Sequence, residues 1–175
     1  LEKSNVSSVI EIGSHKGGSL FVWAQLIKSE SAAFLCSIDL PGGDFGGGLK
    51  GGNDALFEAF CADGQNLLVL RGDSHSPEVL RQLDEYLGTE KKVDFLFIDG
   101  DHTYQGVKRD FLMYKRFVNT GGFVAFHDII QRDDYPSIEV WKFWDELKLD
   151  PSNEIQEFVN TNPRHRTIGI DLLRV

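Results

Sequence analysis

Short apolar runs alternate with segments of helical periodicity along this chain, and this alternation constrains the fold more than any other feature. Five such runs lie at 8–12, 33–38, 67–70, 93–98 and 123–126. A strand buried on both faces reads as a continuous apolar run, so the alternation predicts a parallel sheet covered by helices. Two further strands are expected near 155–159 and 167–175. Little room for a helix remains between them, so they should form an antiparallel hairpin and complete a mostly parallel seven-stranded α/β sheet.

Side-chain spacing predicts the local structure of two segments. After the fourth run, apolar residues at helical spacing predict a helix that buries Val107, Phe111, Tyr114 and Val118. The paired glycines at 121–122 should end this helix. In the last run, Ile168, Ile170 and Leu172 alternate with other residues, which is the period of a strand.

Length and composition fit one globular domain spanning 1–175. The chain has 175 residues, of which 41% are hydrophobic and 26% charged, values that disfavour disordered, collagenous and coiled-coil proteins. The net charge of −9 has the wrong sign for a protein that neutralises phosphates, so nucleic acid is not an expected partner. The first residue is Leu1 rather than Met, so we expect N-terminal elements of a longer chain to be missing.

The sequence predicts a cytoplasmic protein without a membrane partner. No run approaches the roughly 18 apolar residues of a membrane helix, and no signal segment opens the chain. Cys36 and Cys61 lie in apolar stretches and form no CxxC pattern. They are therefore expected to be free core residues rather than disulfide partners or zinc ligands.

Polar residues follow each of the five apolar runs. They are Glu11 with Gly13, Asp39, Asp73, Asp99, and His127 with Asp128. One acid at the end of a strand is an ordinary turn residue. Five polar strand ends at one edge of a parallel sheet are more informative, because ligands of open α/β sheets bind beyond the carboxyl ends of the strands.

The first turn has the sequence EIGSHKGGS at 11–19. It lacks the GxGxxG pattern of dinucleotide-binding turns, which disfavours a nicotinamide dehydrogenase. Glu11 would repel a pyrophosphate but suits a ligand that carries an amino group or a sulfonium cation. An ordinary tight turn between a strand and a helix is the alternative interpretation.

With these motifs the chain resembles the class I S-adenosylmethionine-dependent methyltransferases over nearly its whole length. The resemblance implies a three-layer Rossmann-like methyltransferase fold with S-adenosylmethionine as cofactor. By resemblance, the first turn wraps the methionine end of the cofactor, Asp39 binds the ribose hydroxyls, and the segment after the third run flanks the adenine. The implied cofactor-binding residues are Glu11, Gly13, Gly17, Ser19, Asp39, Asp73 and Ser74.

The second half resembles the metal-assisted O-methyltransferases, including the cephalosporin hydroxylase-like branch, through FIDGDHTY at 97–104 and GGFVAFHD at 121–128. This implies that Asp99, His127 and Asp128 hold a divalent metal, with magnesium expected first. His127 departs from the branch, which has an oxygen ligand there, and imidazole favours transition metals. A different metal, another role for His127, or a metal-free site therefore stay open.

His102 is implied to be the catalytic base that takes the proton from the acceptor hydroxyl. A histidine can accept a proton near neutral pH, and a metal would lower the pKa of the hydroxyl. The alternative is a residue at a helix N-terminus that bonds to the backbone. His15, His75 and His165 are expected to be surface or supporting residues.

The resulting prediction is transfer of a methyl group to a hydroxyl of a small molecule: a sugar, a catechol-like ring or a natural product. Nitrogen as the acceptor atom and a homo-oligomer both remain possible. Two other functions compete: a non-catalytic cofactor-binding module of a larger protein, and a metal-dependent hydrolase using Asp99, Asp101, His127 and Asp128. The glycine-rich segment 41–53 is either a lid over the site or a surface loop.

Overall fold

The computed structural model describes residues 6–27, 33–42, 54–89, 91–160 and 169–175. The strands are β1 (Ser8–Ile12), β2 (Phe34–Asp39), β3 (Asn66–Arg71), β4 (Val93–Ile98), β5 (Val118–Phe126), β6 (Glu154–Val159) and β7 (Gly169–Arg174). The helices are α1 (Gly18–Leu26), α2 (Asp54–Phe60), α3 (Pro77–Leu87), α4 (Tyr104–Tyr114) and α5 (Val140–Lys148). A single 3₁₀ turn, Lys115–Phe117, follows α4.

The strands form one sheet in the order β3-β2-β1-β4-β5-β7-β6. Neighbouring strands among β1 to β5 are parallel, whereas β7 is antiparallel to both β5 and β6. The predicted seven-stranded sheet with a terminal antiparallel hairpin is confirmed. From β1 the chain builds outward to β2 and β3 on one side, then returns to β4 and β5 on the other. This reversal opens a crevice at the carboxyl ends of β1 and β4.

Two apolar clusters, one on each face of the sheet, form the core. Ile10 and Leu96 belong to the cluster that also contains buried side chains of α3, α4 and α5. Val9 and Phe95 belong to the cluster that contains side chains of α1 and α2. Successive residues of β1 and β4 are therefore buried on opposite faces, as expected of central strands in a three-layer structure.

The predicted end of the fourth helix is wrong. α4 ends at Tyr114, and Val118 begins β5 instead of continuing the buried helix face. Gly121 and Gly122 lie inside β5, so they do not terminate the helix. Val118 is nevertheless buried, because a strand can bury an apolar residue that also fits a helical spacing.

The last strand buries residues other than Ile170. In β7 the buried positions are Gly169, Asp171 and Leu173, while Ile170 is exposed. A carboxylic acid therefore occupies a core position at the end of the sheet. Ile168, His165 and residues 43–53 of the glycine-rich segment lie outside the described residues.

Within the described ranges, no helix has the length and apolar character needed to cross a bilayer. α3 and α4, with 11 residues each, are about half as long as a membrane-spanning helix. Cys36 and Cys61 are both free. Cys36 is fully buried and Cys61 partly buried, so only Cys36 is a true core residue.

Candidate functional site

Backbone hydrogen bonds align the carboxyl ends of the four central strands. Gly13 donates to the carbonyl of Ile38 at 2.8 Å, and Asp99 donates to that of Ile12 at 2.8 Å. His127 extends the series by donating to the carbonyl of Ile98 at 3.1 Å. The predicted polar residues of β1, β2, β4 and β5 therefore lie along one sheet edge.

The first turn depends on two glycines with left-handed backbones. Gly13 has φ +90° and Gly17 has φ +82°, a region that strongly favours glycine. A Cβ on Gly13 would lie 2.1 Å from the carbonyl oxygen of Asp99, and one on Gly17 would lie 2.4 Å from the ring of Phe57. The turn therefore lies directly against the end of β4.

Glu11 is a fully buried carboxyl beneath this turn. Its Oε1 accepts a hydrogen bond from the indole Nε1 of Trp23 at 3.3 Å. Its Oε2 is buried without a hydrogen-bond partner among the described residues. Burial raises the pKa of Glu11 to about 7, although the nearby hydroxyl of Ser19 opposes the shift. A buried acceptor without a donor fits a site that receives a cationic or hydrogen-donating ligand group.

Asp39 connects the end of β2 to the first turn. Its Oδ2 accepts from the backbone N–H of His15 at 2.5 Å, and its Oδ1 accepts from that of Leu40 at 2.8 Å. Each carboxylate oxygen has a second lone pair. Asp39 can therefore hold the turn and still accept hydrogen bonds from a diol.

The loop after β3 lies beside Asp39, because Gly72 donates to the carbonyl oxygen of that residue at 2.8 Å. Asp73 has an exposed side chain whose Oδ1 accepts from the backbone N–H of His75 at 2.8 Å. The carbonyl of Ser74 accepts from the hydroxyl of Tyr114 at 2.7 Å. All seven sequence-predicted cofactor residues are thus in β1, the first turn, the start of α1, the end of β2 or the adjoining loop.

Two carboxylates and two imidazoles meet at the ends of β4 and β5. Asp99, His102 and Asp128 each offer a ligand atom within 4.8 Å of the others. The Nδ1 of His127 lies 3.2 Å from Oδ1 of Asp99 and 3.4 Å from Oδ2 of Asp128. The Nδ1 of His102 lies 3.1 Å from the same Asp128 oxygen. We call these four residues the Asp/His cluster.

Geometry within the Asp/His cluster suits a bound cation. The Nδ1 atoms of His102 and His127 are buried and lack a well-directed hydrogen bond among the described residues. Asp128 has φ +60°, an uncommon backbone conformation for a residue other than glycine that is concentrated at functional sites. Carboxylate oxygen and imidazole nitrogen together form a common ligand set for divalent metals.

Mutual electrostatics within the Asp/His cluster stabilise the charged forms of His127, His102 and Asp128. Burial disfavours protonated His127, but the carboxylates of Asp128 and Asp99 outweigh it and raise the pKa of His127 to about 10. Asp128 also raises the pKa of His102. The two histidines hold the pKa of Asp128 well below its usual range, against the effect of burial. The carboxylates of the cluster therefore favour positive charge beside them.

A family model described as a methyltransferase domain matches residues 10–129. This range contains the first turn, Asp39, the loop after β3 and the whole Asp/His cluster. The chain belongs to the S-adenosylmethionine-dependent methyltransferases. The family resemblance drawn from the sequence motifs is confirmed.

This methyltransferase is 32% identical over 127 residues to an uncharacterised protein of Acanthamoeba polyphaga mimivirus, an alignment covering 73% of this chain and 53% of that protein. The chain spans about half or less of the length of the curated relatives it matches.

Two solved structures illustrate the shared fold. An O-methyltransferase from Bacillus cereus, solved with S-adenosylhomocysteine, has a TM-score of 0.68 at 13% identity and covers 98% of this chain and 75% of that one. MycE of the mycinamycin biosynthetic pathway, solved with Mg and S-adenosylhomocysteine, has a TM-score of 0.59 at 15% identity, covering 98% and 45%.

One contact of the methyltransferase was missed by sequence reasoning. His75 is not a simple surface residue, because its side chain is 14% exposed and lies 3.1 Å from the fully buried carboxylate of Asp110. The available signal was Asp110 itself, a charged residue within the apolar face of α4 that includes Val107, Phe111 and Tyr114. A buried acid in such a face requires a partner.

Proposed function

We propose that this methyltransferase transfers a methyl group from S-adenosylmethionine to a hydroxyl of a small molecule, with the assistance of a divalent metal. The observation that carries this proposal is the direct contact between the first turn and the Asp/His cluster. Gly13 lies so close to the backbone of Asp99 that no Cβ fits between them. A methyl donor held by the turn would thus lie beside the groups that activate the acceptor.

The cofactor side of the proposal uses residues with complementary chemistry. Glu11 would neutralise the positive charge of the methionine end, since one of its oxygens is buried without a donor. Asp39 would accept hydrogen bonds from the ribose hydroxyls, and the backbone around Asp73 and Ser74 would flank the adenine. When bound, S-adenosylmethionine supplies the methyl group, while the chain aligns it with the acceptor oxygen.

Asp99, His127 and Asp128 would hold the metal. The ring of His127 packs edge-on against that of Phe97, with centroids 6.4 Å apart, and its backbone forms a bridge to Ile170. These contacts hold His127 at the end of β5, beside Asp128. A bound divalent metal would lower the pKa of the acceptor hydroxyl and set its direction. Magnesium remains the expected ion, although the imidazole would also suit a transition metal.

His102 would act as the base, accepting the proton of the acceptor hydroxyl at Nε2. Its side chain, 34% exposed, is more open than that of His127, at 24%. Its backbone carbonyl accepts from the N–H of Glu139 at 2.7 Å, which holds the residue at the start of the α4 segment. Nδ1 lies 3.1 Å from Oδ2 of Asp128 and Nε2 lies 3.8 Å from Oδ1 of Asp99, so Nε2 is the less closely contacted nitrogen and the one that would meet the substrate.

The acceptor would bind in a pocket of about 350 Å³ formed by the β5–α5 connection. Its lining residues are Gln131, Arg132, Asp133, Pro136, Ile138, Trp141 and Lys142. This connection starts directly after Asp128, and Asp134, with a smaller contribution from Asp128, raises the pKa of Arg132. Its size suits a small molecule.

The proposal is tested with methyl-labelled S-adenosylmethionine and a pooled panel of sugars, catechols and phenols. We expect labelled product with Mg²⁺ or Mn²⁺, and at least about a hundred-fold loss of rate with a chelator or in Asp99→Asn, because oriented activation of the acceptor is lost. Asp101→Asn, which alters the adjacent exposed acid, should retain the rate.

Transfer that survives both chelation and Asp99→Asn would contradict the metal's role. Binding of S-adenosylhomocysteine without transfer to any acceptor would favour a non-catalytic module. Release of phosphate from generic esters with added metal would favour the hydrolase.

A further inference from the structure

Side chains and backbone groups of α4 contact the loop that follows β3. The proposed function does not use these contacts. Tyr114 donates its hydroxyl to the carbonyl of Ser74 at 2.7 Å, and Arg109 donates to the carbonyl of His75 at 3.2 Å. The imidazole Nε2 of His75 lies 3.2 Å from the carbonyl of Gly106 and 3.1 Å from Oδ1 of Asp110. α4 therefore fixes both the backbone and one side chain of this loop.

Asp110 is the buried centre of these contacts. Its side chain is fully inaccessible, its Oδ1 lies 3.1 Å from Nε2 of His75, and neither carboxylate oxygen has a well-directed hydrogen bond among the described residues. A buried carboxylate is costly unless it is paired with a cation or a donor. His75 is the cation that faces Asp110, so removing His75 leaves the buried carboxylate without a partner below the loop.

We propose that the buried His75–Asp110 pair positions loop 72–76 to bind S-adenosylmethionine. The inference rests on the proposed function, in which Asp73 and Ser74 of this loop flank the adenine. Loop 72–76 also donates from Gly72 to the carbonyl of Asp39, the residue assigned to the ribose. The pair thereby determines where the loop lies relative to the nucleoside half of the cofactor, and both of its members are positioning residues.

The charge of His75 gives the pair a pH dependence. Asp110 raises the pKa of His75, assisted by the carbonyl of Gly106 and by Asp73, against the effect of burial. Within the described ranges, Arg109 and Tyr114 of α4 also face the loop, and burial raises the pKa of the Tyr114 hydroxyl. Protonated His75 is present below its raised pKa and is lost as the pH rises through it. Cofactor affinity should therefore fall on the alkaline side of the ordinary imidazole range of about 6.5.

His75→Gln and Asp110→Asn test the proposal, with Arg116→Gln as the matched control. Arg116 forms an exposed ion pair with Asp84 of α3, away from loop 72–76. S-adenosylhomocysteine affinity is measured by calorimetry across pH, and protection of amides 72–76 by hydrogen exchange without ligand. We expect about a ten-fold loss of affinity in each variant, as for losing one charge-assisted hydrogen bond, and faster exchange at 72–76. His75→Gln should lose the alkaline decline, and Arg116→Gln should behave like the wild type.

Unchanged affinity or unchanged exchange at 72–76 in the folded variants would overturn the proposal. If Asp110→Asn does not fold, His75→Gln decides the matter alone, because its side chain reaches the surface. A wild-type protein that binds no S-adenosylhomocysteine, while both variants exchange faster at 72–76, would instead contradict the proposed function and remove the loop's cofactor role.

Discussion

Burial of Glu11 lowers the stability of the folded protein, whereas the proposed cofactor binding uses its buried carboxylate. A carboxyl group buried without a full set of donors destabilises the folded protein in its charged form. The raised pKa of Glu11, about 7, results from this destabilisation of the charged form by burial. A cationic cofactor group near its free oxygen would offset the cost, so the residue is better suited to the complex than to the free protein.

Glu11→Gln should remove a specific pH dependence of stability. The folded protein retains the Glu11 proton up to about pH 7, whereas the unfolded chain releases it near the ordinary value of 4.5. Unfolding therefore releases a proton in this window, and the free energy of unfolding falls as the pH rises, by up to about 3 kcal/mol. Urea unfolding at several pH values should show a flatter profile for Glu11→Gln.

The exposed acid Glu58 on α2 provides the control for this measurement. Glu58→Gln should keep the wild-type pH dependence of unfolding, because the side chain of Glu58 is exposed. If Glu11→Gln follows the wild-type profile as closely as Glu58→Gln does, the carboxyl of Glu11 is not held in the buried state that the structure shows.

At the scale of elements, Asp171 substitutes for a backbone partner between β5 and β7. The strands pair at Phe123–Arg174 and Val124–Leu173, and a bridge joins His127 to Ile170. Between these points the N–H of Phe126 donates to Oδ1 of Asp171 at 3.0 Å. Burial raises the pKa of Asp171 to about 9, so it is a neutral acid near pH 7.

Two substitutions separate the hydrogen bond of Asp171 from its charge. Asp171→Asn retains an oxygen acceptor and removes a carboxyl that the unfolded chain can ionise, so it should raise the free energy of unfolding at neutral pH. Asp171→Leu also removes this ionisation but leaves the buried N–H of Phe126 without a partner, so it should be about 1–3 kcal/mol less stable than Asp171→Asn. Chemical denaturation at pH 7 measures both. Equal stabilities of the two variants would show that the hydrogen bond is not what Asp171 contributes.

The end of α4 and the burial pattern of β7 could not be predicted from the spacing of apolar residues. Apolar residues recur at helical spacing from Val107 to Val118. The helix nevertheless ends at Tyr114, and Val118 is buried as part of β5. Periodicity cannot separate these alternatives over so short a segment. In β7, Asp171 lies at a buried position because a main-chain donor meets it there, a contact that depends on a different strand.

For the whole molecule, the mostly parallel seven-stranded sheet, its terminal hairpin and the edge at which the predicted polar residues lie were predictable from the sequence. Central strands can be recognised in a sequence as apolar runs, and parallel strands bring their carboxyl ends to one edge of the sheet. Side-chain partnerships across that edge were not predictable. His75 and Asp110 are separated by 35 residues and meet only because the loop after β3 lies above α4. Long-range contacts of this kind depend on packing rather than on local pattern.

The central claim is that the edge formed by β1, β2 and β4 binds S-adenosylmethionine, and calorimetric titration of S-adenosylhomocysteine tests it most directly. The account predicts saturable binding at one site by the wild type, lost in Asp39→Ala and kept in Asp63→Ala, which alters an exposed acid at the opposite end of the sheet. No binding by folded wild-type protein, or equal binding by folded Asp39→Ala, would contradict it.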